Sequence, residues 1–232
     1  MISEATLMAT VDHKNCLPLL GICLADDTPR IVSEFIPLGS LDSYLSLHRD
    51  TIVQGQFLEW CQQIAEGMNY LNGINIIHRD LASRNILLRD ENNLVITDFG
   101  LSRMICKDNI ITELGEHYEI LVSSGKVPIR WLAVEALRYS KYSVKTDVWA
   151  YGVTIWEIFS YGERPYSQFR TSEIVLYVLE GGRLQIPPIC RFELYRIMSS
   201  CWNEDPEKRP SFEELARTFK DSKKNISKYL HP

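Results

Sequence analysis

His78-Arg79-Asp80-Leu81-Ala82-Ser83-Arg84-Asn85, with Asp98-Phe99-Gly100 eighteen positions after Asp80, is the part of this 232-residue chain whose reading decides the fold. The four fixed positions of the first stretch, His-Arg-Asp and the Asn five places beyond Asp80, arise by chance in roughly one such chain in a thousand. The second stretch at this distance makes accident untenable. Singly, each residue has an ordinary reading, since an Asp after a strand is commonly a turn former and Asn85 would serve as a loop cap. Two short apolar segments, Asn85 to Leu88 and Leu94 to Thr97, predict a small hairpin between the motifs.

Upstream, Phe57, Cys61, Ile64, Met68 and Leu71 step by 4, 3, 4 and 3, the period of a helix with one buried face. Ile31 to Phe35 is β-branched and alternating, which predicts a strand, and Pro37-Leu38-Gly39 ends it in a turn. Downstream, weak periodicity from Gly100 to Pro128 predicts a long loop, and long ordered loops are usually functional. Helices are expected at Val144 to Phe159, Thr171 to Leu179, Phe192 to Cys201 and Phe212 to Phe219. The last opens on Ser211-Phe-Glu-Glu214, a capping box.

Composition excludes several classes. The 25 basic and 30 acidic side chains leave a net charge of −5, with no basic footprint for nucleic acid. With 45% hydrophobic and 24% charged residues the chain is globular rather than disordered. Its longest uncharged apolar run, Val148 to Trp156, is too short to span a bilayer, so no membrane contact by this segment is expected. The start Met-Ile-Ser-Glu-Ala-Thr lacks the features of a signal peptide. Six scattered cysteines form no Cys-x-x-Cys pair and read as reduced thiols.

The two motifs resemble those of the protein kinases, and the resemblance covers nearly all of the chain. Ala133-Val134-Glu135 stands where the Ala-Pro-Glu signature would, and Asp147-Val-Trp-Ala-Tyr-Gly follows it. Ala82 and Arg84 after the catalytic Asp, with Lys126-Val-Pro-Ile-Arg-Trp131, are similar to receptor tyrosine kinases. Leu20-Gly-Ile-Cys23, Met68-Asn-Tyr-Leu71, Gly125-Lys-Val-Pro-Ile129 and Leu184-Gln-Ile-Pro-Pro-Ile-Cys190 resemble the epidermal growth factor receptor family. Two departures stand out: the segment between Gly100 and Gly125 is longer than the family's, and Val134 replaces the usual Leu or Pro.

The resemblance implies an α+β, protein kinase-like fold. Residues 1–36 would be a remnant of the small lobe, 37–222 a complete and mainly helical large lobe, and 223–232 a C-terminal tail. It implies phosphoryl transfer from ATP with Mg²⁺ to protein tyrosine, where catalysis is mostly positioning and charge neutralisation. Asp80 would accept or orient the substrate's hydroxyl proton beside Arg84, and Asn85 and Asp98 would hold the metal. Ser33 would be the gatekeeper, Glu34 and Ile36 would present their backbone to adenine, and Leu87 would pack under it. Glu4 would be the helix glutamate that pairs with a strand lysine. Met8, Leu19, His78 and Phe99 would form a hydrophobic spine standing on Asp147, and Glu135 and Arg209 a buried ion pair. Tyr118, the one tyrosine between Asp98 and Trp131, would be the regulated tyrosine, its phosphate pairing with Arg79.

No lysine-bearing strand or Gly-rich loop precedes Glu4 in the sequence, so the chain as written is expected to have little activity and to be a fragment of a receptor rather than a truncated product. As part of such a receptor it would lie on the cytoplasmic side of the plasma membrane, and as written it would be cytoplasmic. The competing reading is a non-catalytic interaction or allosteric activator module. The resembling family is switched on through an asymmetric kinase dimer, and Ile189, Leu194 and Met198 are expected to form the activating surface, with core packing as the equal alternative.

Overall fold

A computed structural model of the chain describes residues 2–25, 28–105, 111–112 and 127–231. Eight α-helices occur among the described residues: α1 (Ile2–Met8), α2 (Leu41–Leu47), α3 (Gln54–Gly73), α4 (Val134–Tyr139), α5 (Val144–Phe159), α6 (Thr171–Leu179), α7 (Phe192–Cys201) and α8 (Phe212–Ser222). The helices expected at Val144, Thr171 and Phe192 have the expected bounds. The eight strands among the described residues pair two by two and antiparallel: β1 (Leu19–Cys23) with β2 (Arg30–Ser33), β3 (Ile76–Ile77) with β6 (Arg103–Met104), β4 (Ile86–Asp90) with β5 (Asn93–Ile96), and β7 (Ile111–Thr112) with β8 (Lys141–Tyr142). This mixture of helices and small sheets matches the expected α+β class.

The helices form because each has a face to bury. On α3 the five periodic residues from Phe57 to Leu71 are all sealed from solvent. Helix α5 is buried on nearly every side, as expected of a helix that is apolar all round. Its N-terminus is capped by Ser143, whose hydroxyl accepts from the Lys145 N–H at 3.1 Å. Gly152 allows α7 to approach: a Cβ there would lie 2.6 Å from Trp202 Nε1 and 2.7 Å from Cys201 Cβ. The capping box at the start of α8 forms, with Ser211 Oγ accepting from the Glu214 N–H at 3.2 Å and Glu214 accepting from the Ser211 N–H at 2.8 Å.

The stretch from 100 to 128 departs from a plain loop, because Arg103–Met104 pairs with Ile76–Ile77 and Ile111–Thr112 pairs with Lys141–Tyr142. The stretch set apart as a tail is not detached. Leu230 is buried, the Arg191 N–H donates to Tyr229 O at 2.8 Å, the His231 N–H donates to Ile189 O at 2.9 Å, and Gln54 Nε2 donates to His231 O at 2.7 Å. No helix among the described residues is long and apolar enough to cross a membrane.

Candidate active site

The loop between β3 and β4 carries Asp80, and a buried acid holds that loop in shape. Asp147, at the start of α5, accepts the N–H of His78 at 2.8 Å and that of Arg79 at 2.9 Å. Those two bonds hold Arg79 in a left-handed conformation (φ 70°), the kind of strain that surrounding structure must over-determine. Burial pushes the Asp147 carboxyl up to about 7, against the pull of the two amides and Arg79. The His78 ring is also sealed, and burial lowers it to about 4, so it is neutral. Its Nε2 lies 3.1 Å from Thr97 O, which only accepts, and its Nδ1 receives the Asp80 N–H at 3.3 Å. The proton therefore sits on Nε2.

Asp80 is gripped from its own loop. Asn85 Nδ2 donates to Asp80 Oδ2 at 2.9 Å and to Asp80 O at 2.7 Å, and Arg84 is ion-paired with Asp80 Oδ1. Burial raises the Asp80 carboxyl to about 6. Arg84 and Asn85 oppose the rise, and the neighbouring Asp98 charge adds to it. A carboxylate with that value is suited to take a proton near neutral pH. Arg84 also lies over the Trp131 ring, 4.5 Å from its centroid, so the loop meets the 3₁₀ turn Ile129–Trp131.

The hairpin β4–β5 brings Asn85 beside Thr97, the residue before Asp98. Its register pairs Leu87 with Val95 and Leu88 with Leu94, and the Thr97 N–H donates to Asn85 O at 2.9 Å. Asp98 has a left-handed backbone (φ 63°), and its Oδ1 accepts the Gly100 N–H at 3.3 Å. A Cβ on Gly100 would lie 3.2 Å from Asp98 Oδ1 and 3.9 Å from Glu4 Oε1, so α1 brings Glu4 to the same corner. Met8 and Phe99 are buried, the His78 and Phe99 rings lie 5.5 Å apart, and Leu19 packs on the core half-buried. Ile36 is buried with Leu17 and Val95, and Leu87 packs against them. Ser33 ends β2, and the next residue, Glu34, receives Arg89 Nη2 at 2.7 Å. That pair was not foreseen, because its partners are 55 residues apart.

Away from the Asp80 loop, Arg209 and Glu135 form the expected ion pair, bidentate at 2.7 and 2.8 Å. Tyr118 lies outside the described residues, as do Gly125, Lys126 and Cys106. Arg79, its expected partner, has its guanidinium 4.2 Å from the centroid of the Tyr142 ring. One expectation is corrected: Leu194 and Met198 are wholly buried (0% exposed), so they present no surface. Their four-residue spacing does give a shared face of α7, but that face packs onto the core. Ile189 is half-buried, and the outward face of α7 carries Phe192, which is 65% exposed.

Residues 1–219 match the family described as protein tyrosine and serine/threonine kinase, and the chain belongs to that family. Among curated proteins, the chain is 42% identical over 230 residues to the melanoma receptor tyrosine-protein kinase of Xiphophorus maculatus. It is 41% identical over 229 residues both to the receptor tyrosine-protein kinase erbB-4 of Homo sapiens and to the epidermal growth factor receptor of Apis mellifera. Each match takes in 99% of the chain but 17–19% of the relative, so the chain spans less than a fifth of the length of these proteins.

Proposed function

We propose that this chain is the catalytic portion of a receptor protein tyrosine kinase, transferring the γ-phosphoryl group of ATP to tyrosine in proteins. The observation that carries the reading is the connected set Asp80–Arg84–Trp131: a half-sequestered carboxylate poised near neutrality, braced by an arginine that stacks on an aromatic floor. Asp80 takes or orients the phenol proton as the hydroxyl attacks. Arg84 and Asn85 hold its two oxygens, so its position costs no reorganisation during reaction. Asp98 and Asn85 offer oxygen donors that fit Mg²⁺, which when bound neutralises phosphate charge. The backbone of Glu34 and Ile36 meets the adenine edge above Leu87, and Ser33, being small, leaves the space behind it open. Glu4 serves the lysine that pairs with the phosphates.

The segment would then work on the cytoplasmic side of a plasma membrane as part of a longer receptor. Its second partner is another kinase domain in an asymmetric pair, and the exposed Phe192 on the outer face of α7 is the apolar contact it offers, in place of Leu194 and Met198. Tyr118 remains the proposed regulatory tyrosine. The substrate reading is tested by incubating a form extended upstream with a Gly-rich loop and strand lysine with ATP, Mg²⁺ and matched peptides that differ only in Tyr, Ser or Thr. Phosphate on the tyrosine peptide alone is expected; equal labelling of the serine peptide refutes the assignment.

A further inference from the structure

Glu157 is an acid where burial is least favourable. It sits in the second half of α5, 5% exposed, and its only company in the run Val148 to Phe159 is uncharged. A carboxylate is retained in such a place only if its oxygens are satisfied. Both are. Oε1 accepts the Ser83 hydroxyl at 2.6 Å, while Oε2 accepts the Ser83 N–H at 3.1 Å and the Trp131 indole N–H at 2.9 Å. The donors come from two separate segments, the catalytic loop and the turn that precedes α4. One buried side chain on the central helix therefore ties the two walls of the site to each other.

The tie continues to the reacting group. Ser83 adjoins Arg84, whose guanidinium lies over the same Trp131 ring that Glu157 fixes by its other edge, and Arg84 is paired with Asp80. Rotating the indole would unseat both Arg84 and the floor on which an aromatic substrate would lie. We propose that Glu157 is a positioning residue for the substrate tyrosine: it registers the Trp131 floor against the Asp80 loop, and so governs how the phenol is seated. The proposal rests on the tyrosine kinase reading above and adds to it a specific determinant outside the motifs.

The chemistry predicts a graded series. In Glu157→Gln the amide oxygen still accepts the two N–H groups and the amide N–H donates to the Ser83 hydroxyl, so the link survives. Glu157→Leu strands all three donors. Trp131→Phe keeps the floor and removes only its anchor, and Ser83→Ala removes one bond of three.

The test is a titration of the 232-residue chain with a peptide carrying a single tyrosine, followed by ¹H–¹⁵N NMR, with each variant's melting curve recorded beside it. Glu157→Leu and Trp131→Phe should each bind about tenfold more weakly, Ser83→Ala a few-fold, and Glu157→Gln within about twofold of the parent. The Glu157→Leu/Trp131→Phe double variant should be no weaker than either alone. A folded Glu157→Leu that binds like the parent, or additive losses, overturns the proposal. If Glu157→Leu does not fold, unchanged binding by Trp131→Phe overturns it alone. A parent chain that binds the tyrosine peptide no better than its phenylalanine counterpart fails the substrate reading instead, and this proposal with it.

Discussion

Replacing Arg209 with Met is the sharpest test of how the large lobe is held. The Arg209 side chain has no exposed surface. Its guanidinium donates to both Glu135 oxygens at 2.7 and 2.8 Å, its Nε to Asn203 O at 2.8 Å, and its Nη1 also to Lys145 O at 2.8 Å. The guanidinium carbon lies 5.1 Å from the centroid of the Trp149 ring. Methionine fills much of the volume but leaves Glu135, only 14% exposed, and two carbonyls without their donor. Removing one member of a buried pair costs about 3–5 kcal/mol. For a chain of this size each kcal/mol moves the melting midpoint by about 2–4 °C, so a fall of about 6–20 °C is expected. Thermal unfolding of the 232-residue chain, followed by circular dichroism, reads it. Because an isosteric apolar pair avoids a lone buried charge, Glu135→Met/Arg209→Met should recover part of the loss. A fall of less than about 3 °C for Arg209→Met, or a double variant worse than the sum of the singles, refutes this account.

Three further outcomes follow from the same reasoning. Leu194→Arg should unfold the large lobe, whereas Phe192→Arg should leave the melting curve unchanged, and the reverse order would return Leu194 to the surface. Burial raises Glu157 from 4.5 to about 7, so its contribution to stability is complete below about pH 4.5 and is lost as pH rises through about 7; urea unfolding should show Glu157→Gln flattening that decline by up to about 3 kcal/mol, and an identical slope in both proteins would contradict it. Among the five described cysteines, Cys23 is the one not buried and should react first with a thiol reagent, while Cys61, whose thiol burial pushes well up, should react only on unfolding; early modification of Cys61, read by mass spectrometry, would contradict its placement.

Long-period signals carried most of the fold. Helix α3 was readable because five residues at alternating steps of 4 and 3 leave one solution for its buried face. Helices α5, α6 and α7 were readable for the same kind of reason. Helices α2 and α4 were not anticipated: at seven and six residues, two turns or fewer, they are too short for a period to emerge, and neighbouring elements hold them. The Asp80 loop and Asp98 were legible because the proposed chemistry calls for these residue types at fixed spacings. The roles of Arg89 and Glu157 were not, since Arg89 acts on Glu34, 55 positions away, and Glu157 on Ser83 and Trp131, 74 and 26 positions away, and nothing local marks these partners. Glu157 did leave one trace, as a lone charge interrupting an apolar run. The α7 surface shows the limit of periodicity most clearly, since a spacing of four puts Leu194 and Met198 on one face, and only the position of α5 decides that the face is inward.

The most direct test of the catalytic reading compares phosphotransfer to a tyrosine peptide by three proteins: the 232-residue chain, a form extended upstream of Met1 by a segment with a Gly-rich loop and a strand lysine, and the extended form carrying Asp80→Asn. The account predicts turnover by the extended form, and a loss of at least about 10²-fold both in the Asp80→Asn variant and in the 232-residue chain. Equal turnover with and without the Asp80 carboxylate, or no phosphotyrosine from a folded extended form that binds ATP, would contradict it.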